Sequence, residues 1–85
     1  MFKVLLAKDV RRAFDELNES STVTEWNPNS MTGVVDGKKT KIVPVSRLEY
    51  LQGIVVSGYE VHWTADDHPH LKEAEEMIRT RMFPK

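Results

Sequence analysis

Three histidines and two aspartates, His62, Asp66, Asp67, His68 and His70, fall within nine residues of one another. Imidazole nitrogens and carboxylate oxygens are ligand types for zinc, manganese or iron, so the cluster raises a metal-dependent hydrolase as one reading of the chain. His62 would stand on the polar face of a strand and the other four in the turn that follows, so that some could converge. The spacing matches no metal signature such as His-Glu-x-x-His, and the chain has no cysteine. The same residues also serve a simpler purpose. Asp67 or His68 can cap a helix begun by Pro69, with the spare acid complementing the helix dipole. No resident metal and no cofactor are expected.

A second set is basic. Lys38, Lys39, Lys41 and Arg47 follow one another without an intervening acid. With Trp26 nearby they could grip phosphates while the indole stacks on a base, a nucleic-acid-binding accessory role. Against this, the isoelectric point near 6.3 lies far below the range of a typical nucleic-acid module, and no RRM, KH, zinc-finger or helix-turn-helix pattern is present. The lysines would also blunt an edge strand.

Other chemistry finds no pattern. Gly33 and Gly37 belong to a hairpin rather than a phosphate cradle and lack a downstream Gly-Lys-Ser/Thr. The serines have no nucleophile-elbow context. A compact nuclease of helix-then-three-strands type needs an acid followed by Glu-x-Lys on adjacent strands, and Asp36, the only acid in the hairpin, is occupied by the turn. An enzyme is therefore the minority reading.

The totals bound what can position these residues. Eighty-five residues make one domain, 1–85, that buries roughly 60% of its unfolded surface. The chain has no disulfide, so a close-packed core, a partner or a second copy must supply stability. Hydrophobic and charged fractions of 40% and 29% fit an ordinary globular chain. No apolar run approaches the roughly 20 residues that cross a bilayer, and the short apolar run at Phe2–Ala7 does not read as a signal peptide. No membrane partner is expected, and the cytoplasm is the default location. The net charge of −1 hides a segregation, with bases at Lys38–Arg47 and six acids against one base between Glu60 and Glu76.

The densest run of β-branched and aromatic residues, Gly53–Thr64, reads as the central strand. One extra residue at Ser57-Gly58 would bring Ile54, Val56, Tyr59, Val61 and Trp63 onto one buried face. Val10, Ala13, Phe14 and Leu17 make the apolar stripe of a helix over 9–18 capped by Asp9, with Arg11, Arg12, Asp15 and Glu16 facing water. Residues 1–7 fit a short strand or an extension of that helix, with the strand favoured. Thr22–Trp26 can form a strand with Val23 and Trp26 on opposite faces. Asp36-Gly37 joins Met31–Val35 to Lys38–Val45 in a hairpin whose register, Val35 opposite Lys38 or opposite Lys39, stays open. Pro44 places the second strand at an edge or ends it there. Ser46–Gln52 reads as a short helical turn. Leu71, Ala74, Ile78 and Met82 stripe a helix that starts at Pro69.

These elements make an α+β domain: a small antiparallel or mixed sheet of about four strands, packed by an N-terminal and a C-terminal amphipathic helix. The expected function is that of a small non-enzymatic accessory or regulatory protein acting through protein contacts, by partner binding, inhibition or homodimer formation. Trp26, Tyr50 and Phe83 are the candidate contact residues. In a two-fold dimer the basic hairpin would face the acidic Glu60–Glu76 region of the second copy.

Overall fold

The computed structural model describes residues 2–51 and 54–81. In chain order the elements are β1 (Phe2–Ala7), α1 (Val10–Ser20), β2 (Val23–Asn27), β3 (Thr32–Val35), β4 (Lys38–Pro44), a 3₁₀ turn at Leu48–Leu51, β5 (Val56–Val61), a second 3₁₀ turn at Trp63–Ala65, and α2 (Leu71–Arg81). The five strands form one mixed sheet in the order β2-β3-β4-β1-β5. β2, β3 and β4 are antiparallel neighbours, while β1 runs parallel to both β4 and β5.

β1 holds the sheet together, and this corrects the expected central strand. Val4-Leu5-Leu6-Ala7 is a continuous apolar run buried on both faces, the pattern of a parallel strand covered by helices on each side. Val4 and Leu6 join Val43, Val45, Leu51, Val56, Ala74 and Ile78 under α2. Leu5 and Ala7 join Ile42 and Ala13 under α1, where Val10, Phe14, Leu17 and Trp26 pack around them. β5, richer in β-branched and aromatic residues, lies at the edge. Strand propensity reports a pleated, half-buried surface and does not by itself say which strand is flanked on both sides.

The bulge in β5 is present. Phe2 pairs with Val56 and Lys3 with Gly58, which leaves Ser57 as the extra residue. Ile54, Val56, Tyr59 and Val61 then pack on the α2 face. Trp63 does not follow them, because the chain leaves the strand at His62, whose side chain caps the 3₁₀ turn.

A second bulge overturns the expected faces of β2. Thr24 pairs with Val34 and Asn27 with Thr32, so Glu25 and Trp26 together oppose Gly33. Glu25 takes a positive φ of 53°, and the added residue turns Trp26 onto the α1 face, the face Val23 also occupies. Gly33 accommodates it: a Cβ there would lie 2.7 Å from Cε3 of Trp26.

The hairpin closes with the two-residue loop, Val35 opposite Lys38, and φ of 50° at Asp36 and 82° at Gly37, as a type I′ turn requires. β4 ends at Pro44, which pairs with Ala7. It is not an edge strand, since β3 and β1 flank it. The unpaired backbone therefore belongs to β2 and β5, and an open edge beside Pro44 is not available to a second copy. In α2, Ala74 and Ile78 are buried with Leu71 and Met77 packed around them. The helix begins at Leu71 rather than Pro69, because His68 Nδ1 accepts the His70 N–H and closes a turn first. Met82 lies outside the described residues.

Candidate functional site

The three parallel strands β1, β4 and β5 end on the same side of the sheet. From β1 the chain turns to α1 on one face, and from β5 it turns to α2 on the other. In open α/β sheets the crevice beyond the carboxyl ends of two such strands is where ligands bind. Here that region carries Lys8 and Asp9 from the β1–α1 connection, Arg12 from the first turn of α1, Pro44 from β4, and Trp63 and Thr64 after β5, around an open groove of about 800 Å³.

A polar network behind the groove joins these connections. Thr64 N–H donates to His62 Nδ1 at 3.3 Å, which places the ring hydrogen on Nε2. Nε2 then donates to Glu16 Oε1 at 2.9 Å. The Thr64 hydroxyl lies 2.8 Å from Nδ1 and donates its hydrogen there, while its oxygen accepts the Lys8 N–H at 3.1 Å and a longer contact from Asp9 N–H at 3.4 Å. Glu16, His62 and Thr64 thus form a carboxylate–imidazole–hydroxyl chain, whose hydroxyl oxygen also accepts from the backbone of Lys8. The chain ties the end of β5 to α1 and to the β1–α1 connection.

The same carboxylate holds Trp63. Its indole Nε1 lies 3.0 and 2.9 Å from the two Glu16 oxygens, and the Arg12 guanidinium sits 5.5 Å from the ring centroid. The indole hydrogen bond holds the Glu16 carboxyl below its ordinary value, opposed by partial desolvation and aided by His62 and the Arg12 charge. Trp63 nonetheless remains 56% exposed. It is the most exposed large apolar side chain among the described residues, ahead of Val55 and Tyr50.

The histidine cluster does not converge. Among the described residues no three histidine or acidic side chains stand close enough to share a metal ion. His62 turns toward α1, whereas His68 and His70 lie side by side with ring centroids 5.5 Å apart and planes tilted by 40°, and His70 lies 3.7 Å from Glu73.

The basic set does not form one surface either. Lys38 and Lys39 are exposed at the start of β4, and Arg47 is exposed beyond its far end. Lys41 is buried, with Nζ donating to the Ser30 carbonyl at 2.8 Å and lying 5.9 Å from the Tyr50 ring. Its burial lowers the pKa of the ammonium. Trp26 packs against Phe14 at 4.6 Å between ring centroids, so it is part of the α1-side core. Tyr50 is exposed beside Lys41, and Phe83 lies outside the described residues.

Glu16, Arg12, Lys8 and Thr64 were not among the expected site residues. Arg12 and Glu16 are four apart on α1 and in sequence read as side chains that simply face water. Only the fold sets the end of β5 over them.

Comparison with protein-family models, with curated proteins and with solved structures finds no match for this chain. Among the described residues no helix is long and apolar enough to cross a membrane.

Proposed function

We propose that the chain is a small non-enzymatic accessory protein that acts by contact with another protein, and that the contact centres on Trp63. The supporting observation is an indole that is 56% exposed yet hydrogen-bonded to Glu16 and flanked by the Arg12 guanidinium. Ordering a mobile side chain costs about 0.5–1.5 kcal/mol on association, and a ring already fixed avoids most of that cost. Tryptophan and arginine are also the side chains that most often carry binding energy once a partner covers them. The divergent histidines favour contact over metal-dependent catalysis. The scattered lysines favour a protein over a nucleic acid.

A photoreactive residue placed at Arg11, next to Arg12, tests this reading in the cells that make the protein. The expected result is a discrete adduct with another polypeptide that is absent when the probe is at Lys39. Equal labelling from both positions, or none from Arg11, would overturn it.

A further inference from the structure

Resting on that reading, we infer that the groove beside Trp63 takes a short acidic segment of a partner protein, with an apolar side chain seated on the indole. Among the described residues no carboxylate lies within ion-pair distance of Lys8 or Arg12. The acids nearest them are occupied. Asp9 Oδ1 accepts the backbone N–H of Arg12 at 3.0 Å, and Glu16 holds His62 and Trp63. The charged side chains lining the groove are therefore the Lys8 ammonium and the Arg12 guanidinium against one carboxylate, Asp9, which is tied to the start of α1, so the groove carries a net positive charge.

The same groove is lined by the apolar surfaces of Trp63, Val10 and Pro44. Such a shallow, open trough fits a length of chain better than an enclosed small molecule. Carboxylates on the occupant would face Lys8 and Arg12, and an apolar anchor would cover the indole. The positive region is also short. The next concavity along α1 is lined by Asp9, Asp15, Glu16 and Glu19 with Arg11 and Arg12, and its excess of acids would repel a long polyanion leaving the groove. This local limit favours an acidic peptide over a nucleic acid strand.

Calorimetric titration of the wild-type chain tests the inference with four probes: a peptide with one leucine flanked by aspartates and glutamates, the same peptide with lysines for the acids, the same with serine for leucine, and an oligothymidylate. The acidic leucine peptide should bind best, and its affinity should fall as salt rises. Trp63→Ser should weaken it by about thirtyfold, the scale of a hot-spot anchor. The double variant Lys8→Glu/Arg12→Glu should lose the acidic peptide and gain the lysine peptide, a gain that a misfolded chain would not show. No binding of the acidic peptide, undiminished binding by the double variant, or tighter binding of the oligothymidylate would each overturn the inference. An adduct from Arg11 combined with no acidic-peptide binding would remove this inference and leave the protein-contact reading standing.

Discussion

The carboxylate of Glu16 receives the single indole hydrogen of Trp63, its two oxygens 3.0 and 2.9 Å from Nε1. Through Oε1 it also receives the Nε2 hydrogen of His62. One residue on the solvent side of α1 thereby fastens the end of the β5 edge strand and sets the pose of the exposed ring. Four expectations follow from this arrangement and from the sheet behind it.

Glu16 makes stability depend on acid. Hydrogen bonds to the ionised form hold its folded value below the ordinary 4.5, so the unfolded chain binds its proton first as pH falls. The stabilisation is present above the unfolded value and is lost as pH drops through the lower folded one. Glu16→Gln keeps a carbonyl acceptor but cannot ionise. Denaturant midpoints of wild type and variant should therefore converge as pH falls from about 6 to below the ordinary 4.5; a constant difference over that fall would contradict the assignment.

Truncation should separate the exposed ring from the core. Leu6 is fully buried on β1, and Leu6→Ala should cost about 2–5 kcal/mol. Trp63→Ala removes a ring that is 56% exposed and should cost about 1 kcal/mol or less, well under the loss typical of a buried aromatic. Urea titration of both variants checks the order, and equal losses would place Trp63 in the core.

The Thr64 hydroxyl receives the Lys8 and Asp9 N–H groups and donates to His62. The near-isosteric Thr64→Val keeps the packing and removes all three bonds, with an expected loss of about 1–2 kcal/mol. Thr64→Ser should recover most of it. If valine and serine at this position melted alike, the hydroxyl would have no fastening role.

Gly33 lies against Trp26 so closely that any side chain must displace the ring or the backbone. A Cβ would meet Trp26 Cε3 at 2.7 Å, the Thr24 carbonyl oxygen at 3.1 Å and Trp26 Cα at 3.2 Å. Gly33→Ala should destabilise by about 1–3 kcal/mol and change the emission of Trp26. The second effect can be read in a Trp63→Phe background, since the chain has two tryptophans.

Local chemistry was legible in the sequence. Asp9 caps α1 by accepting the Arg12 N–H, and Asp36-Gly37 makes the hairpin turn. The extra residue sits at Ser57, and Ala74 and Ile78 bury one side of α2. Each of these depends on residues a few positions apart, whose side chains and dihedral preferences are written in the chain itself. The neighbours of a strand are not written there. Val4–Ala7 could extend a helix or form a strand until β4 and β5 paired with it on both sides. Gly53–Thr64 had the stronger strand composition, yet only two flanking strands make a central one. The bulge at Glu25 and Trp26 was hidden because a positive φ at glutamate has no sequence signature. The groove depended most on tertiary structure. Glu16 and Trp63 are 47 residues apart, and each alone reads as an ordinary surface acid or a core aromatic. Their hydrogen bond exists because α1 and the end of β5 meet on the same face of the sheet, and strand order, which is a long-range property, decides that meeting.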